Sequence, residues 1–134
     1  MPELLELEVA TPERELVREA VAEVQIPAKN GYVGILPGHA PLITELAVGE
    51  ITYRNGGATH HLAVAWGFAE VLPDKVTILA ETAERAEEID PKRAQEAKAR
   101  AEQRLKSGST DVDYARAETA LQRAECRLQV CEKR

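Results

Sequence analysis

Two lines of arginine carry most of the chemistry in this chain of 134 residues. Arg93, Arg100 and Arg104 are spaced 7 and 4, and Arg116, Arg123 and Arg127 repeat that spacing, so in helices each trio lies along one face. Guanidinium forks hold phosphate oxygens bidentately, each charge-assisted hydrogen bond contributing roughly 1.5–3 kcal/mol. Just ahead of the first line, Asp90-Pro91 supplies a carboxylate. The competing reading is a pair of solvated faces whose arginines pair with Glu96, Glu102, Glu118 and Glu125, and spacing alone favours that reading.

Other reactive side chains are isolated. The stretch from Gly31 to Leu42 is dense in glycine and proline and has one acid–base side chain, His39. It reads as a tight crossover between strands or as a docking loop, with the histidine structural. His60 and His61 are neighbours in a strand pattern and face opposite sides, so they do not pair on a metal. Trp66 and Phe68 are expected in the core, with a partner contact as the alternative. There is no Ser/His/Asp or Cys/His set, no phosphate loop and no His-Glu-x-x-His, so neither catalytic residues nor a metal site is expected. Cys126 and Cys131 lie five apart in a helical pattern, about 140° apart around the axis and ~7.5 Å along it. That is beyond the reach of a disulfide, and reduced thiols are the simple expectation.

The elements that position these residues change character part-way along. Leu5, Leu7 and Val9 alternate with Glu6 and Glu8 as a half-buried strand, and Ala22, Val24 and Ile26 repeat the pattern. Apolar runs follow at 32–36, 42–48, 51–53, 62–65, 68–72 and 76–80. Turn signals separate them at Lys29-Asn30-Gly31, Pro37-Gly38, Asn55-Gly56-Gly57 and Pro73-Asp74. Closely spaced short strands without helical pattern predict an antiparallel sandwich or barrel. Beyond Ala80 the period becomes helical. Asp90 is a good N-cap and Pro91 a good first helical residue, opening a helix over about 91–106 with the stripe Ala94, Ala97, Ala101 and Leu105. After the turn at 107–111, capped by Thr110 or Asp111, a second helix is predicted over about 111–132. Its seam is Tyr114, Ala117, Leu121, Ala124, Leu128 and Cys131. Seams made mostly of alanine bury little, so such a hairpin is only weakly held.

With 44% hydrophobic residues the chain supports one modest core and an appendage. The acidic start Met1-Pro2-Glu3 and the lack of an apolar run of 18 predict a soluble, cytoplasmic protein with no direct membrane insertion. Residues 1–84 carry 5 Lys/Arg against 13 Asp/Glu, and residues 85–134 carry 12 against 10. An acidic first part therefore faces a slightly basic second part. The net charge of −6 and the lack of aromatics among the arginines argue against nucleic acid.

In order and spacing, Gly34-Ile35-Leu36-Pro37-Gly38-His39-Ala40-Pro41-Leu42, Gly67-Phe68-Ala69-Glu70-Val71, Val76-Thr77-Ile78-Leu79-Ala80 and Ala83-Glu84-Arg85-Ala86-Glu87 resemble a known family. With the Ile-Asp-x-x-Arg-Ala pattern at 89–94, they are similar to the epsilon subunit of bacterial F-type ATP synthase, whose mitochondrial equivalent is named delta. The resemblance implies β followed by α: an antiparallel β-sandwich of about ten strands over residues 1–84, then a two-helix hairpin over 85–134. It implies a noncatalytic rotor subunit on the cytoplasmic face of the cell membrane. Its partners would be the gamma subunit, the proton-driven c-ring, and the alpha and beta subunits of the catalytic head. The hairpin would inhibit ATP hydrolysis. Residues matching subunit contacts are Gly31, Gly34, Ile35, Pro37, Gly38 and His39 in the loop and Arg116 on the hairpin. No cofactor is required, but ATP is implied as a regulatory ligand held by Glu84, Ile89, Asp90, Arg93, Ala94, Arg100, Arg123 and Arg127. The alternatives on the residues themselves are a stand-alone nucleotide-binding β-sandwich or a small enzyme.

Overall fold

The computed structural model describes residues 4–133, so Met1-Pro2-Glu3 of the acidic start and Arg134 lie outside the described residues. Eight strands come first: β1 (Leu5–Ala10), β2 (Glu15–Val21), β3 (Glu23–Ala28), β4 (Gly31–Ile35), β5 (Leu42–Glu45), β6 (Gly49–Asn55), β7 (Ala58–Val71) and β8 (Lys75–Arg85). Their path of pairing is β2-β1-β8-β7-β6-β3-β4, with β5 added to β7. β1 runs parallel to β8, and the other strand pairs among the described residues are antiparallel.

The path closes into two layers because β7 and β8 serve both. Residues 58–64 of β7 pair with β6, whereas Phe68–Val71 pair with β5, and β8 follows β7 along its other edge from Leu62 to Val71. Gly67, at φ +116°, makes the corner, where its Cα side passes against the backbone of Leu79 and Ala80. Alternate residues point between the layers, so Leu5, Leu7, Ile26, Ile35, Ile51, Tyr53, Leu62 and Ile78 are all nearly solvent-free. Among the described residues the count is eight strands against an expected ten or so. The runs at 62–65 and 68–72 are one bent strand, since Gly67 turns the chain without breaking its pairing to β8.

β2 escaped the sequence pattern because adjacent Leu16 and Val17 are both buried, which breaks strict alternation. Phe68 is not in the core. It is exposed on the outer face of the β5–β7–β8 layer beside Leu79, because its partners Glu45 and Leu79 share that outward register.

A 3₁₀ turn at Ala86–Glu88 leads into α1 (Pro91–Lys106) and α2 (Tyr114–Cys131). The second helix starts at Tyr114 rather than 111, capped by Asp113, whose carboxylate accepts from Arg116 N at 3.1 Å. Thr110 and Asp111 stay in the turn, where Tyr114 Oη donates to Ser109 O at 3.2 Å. The hairpin docks through α2, and its apolar seat is separate from the sandwich core: Ala63, Ala86, Ile89, Ala94, Val130 and Cys131. Only Ile89 and Val130 are large, and each contributes about 1.5–3 kcal/mol by burial, before the cost of ordering.

Candidate functional site

The hinge between sandwich and hairpin is built by Glu88, Ile89 and Asp90. Glu88 accepts Arg85 N at 3.0 Å and receives the Arg14 fork at 2.7 and 3.0 Å. Arg85 in turn donates to Leu16 O. The Arg14 hydrogen bond holds the Glu88 carboxyl below its usual range, so the tie is intact above that range and is lost as pH falls through the lowered pKa. Ile89 is buried beneath the hairpin. Asp90 performs its predicted capping, with Oδ1 accepting from Lys92 N at 3.0 Å and Arg93 N at 3.3 Å, and Pro91 follows as the first helical residue. These bonds point α1 and its arginines back over the sandwich edge.

A cleft of about 410 Å³ opens there, lined by Arg14, Arg93, Arg123 and Arg127 with Glu13, Glu81 and Glu84. Two of its guanidiniums are committed. Arg14 holds Glu88, and Arg127 holds Glu84: its Nη2 donates at 3.2 Å, while Nε lies 2.7 Å from Oε1 but off the hydrogen-bonding axis. Arg93 and Arg123 have no ion-pair partner among the described residues. Arg123 instead lies over the Trp66 ring, 5.4 Å from its centroid. None of the pairs to Glu96, Glu102, Glu118 or Glu125 forms among the described residues, although Arg93, Arg100, Arg104, Arg116 and Arg123 are exposed as a solvated face requires. The two unspent guanidiniums face one cleft, where they can take an anion beside Glu13 and Glu81, equally unpaired among the described residues.

Of the other residues matched to ATP, Arg100 is exposed further along the hairpin, next to Arg123 and Arg127 in the furrow between the helices. Ile89 and Ala94 are 1% and 0% exposed, so they form the apolar underside of the hinge and leave the polar contacts to the arginines. The loop residues lie elsewhere. Gly38 N donates to Pro73 O at 2.7 Å, and His39 N to Leu36 O at 3.1 Å, which ties this turn to the β7–β8 turn. His39 Nδ1 is 2.6 Å from Ala40 O, a local contact that suits the structural role expected for it. Gly31, Gly34 and Gly38 are exposed, Pro37 and His39 half-exposed, and Ile35 sits in the sandwich core. Arg116 is exposed near the turn between the helices.

Three ties between hairpin and sandwich were not legible in the sequence: Arg127–Glu84, Arg123–Trp66, and Lys133 Nζ on Glu50 at 2.6 and 3.0 Å. Glu50 also takes His61 Nδ1 at 2.8 Å, a contact within the sandwich. The isolated tryptophan before Gly67 was the available signal, since only the bend at Gly67, with Trp66 at φ 54°, turns that ring toward α2. The half-buried Cys126 lies against the same seat. Burial, with the Glu50 charge adding to it and Lys133 opposing, pushes its thiol up to about 11, so it is protonated and slow to react while the hairpin is docked. A second concavity of about 330 Å³ on the sandwich carries Glu23 and Arg54 already paired at 3.6 Å and has no unspent charge. Among the described residues no His, Cys, Asp or Glu cluster converges for a metal, and no helix is long and apolar enough to cross a membrane.

A family model described as ATP synthase, Delta/Epsilon chain, beta-sandwich domain matches residues 4–86. One described as ATP synthase, Delta/Epsilon chain, long alpha-helix domain matches residues 87–132. A relative from Solibacter usitatus, an ATP synthase epsilon chain, is 54% identical over 134 residues and covers 100% of both chains. Another ATP synthase epsilon chain, from Koribacter versatilis, is 63% identical over 111 residues, 83% of this chain and 78% of that one. Among solved structures, a chain in the cryo-EM structure of Euglena gracilis mitochondrial ATP synthase, OSCP/F1/c-ring in rotational state 1, superposes with a TM-score of 0.82. It is 28% identical and covers 93% of this chain and 79% of that one.

Proposed function

The chain belongs to the delta/epsilon family of ATP synthase subunits, and on that premise we propose that it is a noncatalytic, ATP-sensing rotor subunit with a releasable hairpin. The sandwich joins the gamma subunit and the c-ring on the cytoplasmic face of the cell membrane and carries proton-driven rotation to the head. Support for that contact comes from the outer face of the β5–β7–β8 layer, where Ile43, Phe68 and Leu79 are 73%, 57% and 57% exposed in neighbouring registers. The loop from Gly31 to Leu42 adds exposed Tyr32 and Leu36. The hairpin, when released, reaches the alpha and beta subunits and blocks hydrolysis.

The observation that carries the reading is the combination of a small, separate apolar seat for the hairpin and unspent guanidiniums at its hinge. A seat worth only a few kcal/mol is within reach of a regulatory ligand. ATP fits as that ligand because its phosphates would bridge Arg93 on α1 and Arg123 on α2 inside the cleft that the docked hairpin forms with Glu81–Glu84 of the sandwich. Arg127 is held ready by Glu84.

Deleting residues 89–134 is expected to leave the complex assembled and to raise its ATP hydrolysis several-fold, since the sandwich keeps its entire main core. Native gels and a coupled hydrolysis assay read the two quantities. Loss of assembly would make the hairpin structural, and unchanged hydrolysis would remove its inhibitory role.

A further inference from the structure

The arginines continue beyond the hinge cleft. Arg123 and Arg127 also line a furrow of about 180 Å³ between the helices, together with Arg100 and Arg104. Past it, Arg104, Arg116 and Arg123 line a wider basin of about 540 Å³ beside the turn joining the helices. Neighbouring concavities share lining arginines, Arg123 and Arg127 between cleft and furrow and Arg104 and Arg123 between furrow and basin, so the three follow one another along the hairpin as a basic track, here termed a channel. Arg93 and Arg104 mark its ends on α1, about 16 Å apart at ~1.5 Å per residue. Among the described residues, Arg93, Arg100, Arg104, Arg116 and Arg123 all lack an ion-pair partner. Two acids reach the basin. Asp113 is engaged as the cap of α2, and Asp111 is exposed at the turn.

We infer that this channel binds a linear oligophosphate longer than a triphosphate, with Arg104 and Arg116 forming its far subsite. The inference rests on the hinge cleft being an anion site and extends that site along the hairpin. The floor of the middle segment is Ala97, Ala101, Ala120 and Ala124, with Ala101 and Ala124 1% and 2% exposed. A narrow strip of methyl groups flanked by guanidinium forks matches a chain that carries charge at every unit and has no side chains. An acidic peptide carries its charges on flexible side chains away from an uncharged backbone, a poorer match to guanidinium forks set along both walls of one furrow. A single-stranded nucleic acid would need aromatic platforms, and the only aromatic on either helix is Tyr114.

Isothermal titration of the full chain with ATP, inorganic tripolyphosphate and a medium-chain linear polyphosphate tests this. The doubly substituted chain Arg104→Gln, Arg116→Gln is expected to bind the polyphosphate at least about tenfold more weakly and ATP within about twofold of the parent. Arg93→Ala is expected to weaken both. Polyphosphate affinity unchanged in the double variant, an equal loss for ATP and polyphosphate, or competition by poly-glutamate as strong as by polyphosphate would each overturn the far subsite. If ATP binds the parent chain but polyphosphate binds no tighter than tripolyphosphate, only the extension fails. If ATP does not bind the parent at all, the hinge reading fails with it.

Discussion

Gly67→Val is expected to abolish cooperative folding of the sandwich, or to cost more than ~4 kcal/mol where a transition survives. A Cβ at this position would lie 2.0 Å from Leu79 O and 2.8 Å from Ala80 Cα, both backbone atoms of the paired strand, so no side-chain movement relieves the clash. The φ of +116° adds strain that a β-branched residue cannot accept. Relief requires β7 and β8 to separate at the corner that makes one sheet into two layers, which exposes Ala69, Ala80 and Ile78. The same movement takes Trp66 away from Arg123, so hairpin docking is lost along with core stability. Urea unfolding followed by the emission of Trp66, the only tryptophan, measures the effect. A midpoint close to that of the parent chain would show that the corner tolerates a side chain.

Arg93→Ala and Arg123→Ala are each expected to weaken ATP binding by roughly 10- to 150-fold, the equivalent of one charge-assisted hydrogen bond of about 1.5–3 kcal/mol. The two positions report on different links. Arg93 stands one turn into α1 and is placed by the Asp90 cap, so its loss removes a contact at the hinge. Arg123 stands on α2 over Trp66, so its loss also removes a cation–π contact worth about 0.5–1 kcal/mol. The docked state is then less populated before any ligand arrives. Arg123→Lys separates the effects: it keeps the charge but loses the planar fork, and recovers less than half of the lost binding energy if bidentate geometry matters. Equal heats of binding in the parent and both alanine variants, measured by isothermal titration, would place the nucleotide elsewhere.

The local features of the hinge were legible because they depend on short-range rules. Asp90, Pro91 and the helical spacing of Arg93 and Arg100 specify a capped, basic-faced helix wherever the chain goes. The sandwich was legible from alternation, except at Leu16-Val17 and at the bend through Trp66-Gly67, where backbone conformation departs from the pattern that period-two reading assumes. Trp66 and Phe68, expected in the core, come out half-exposed and exposed, since the bend sends one toward α2 and sheet register turns the other outward. The choice between solvated and ligand-binding arginines was not open to sequence reasoning. It depends on Glu84 reaching Arg127 and Glu88 reaching Arg14, pairings 43 and 74 residues apart that leave Arg93 and Arg123 unmatched.

The central claim is that ATP holds the hairpin on the sandwich, and Cys126 offers the most direct reading of it. Cys126 lies on α2, half-buried against the sandwich with its thiol raised to about 11, so alkylation is slow while the hairpin is docked and speeds up when it opens. In a Cys131→Ser chain, with opening fast relative to alkylation, the rate follows the open population. At an ATP concentration about ten times its dissociation constant, binding to the docked form adds ~1.4 kcal/mol, and Cys126 alkylation is expected to slow about tenfold. A rate that stays unchanged or rises as ATP saturates would contradict the claim.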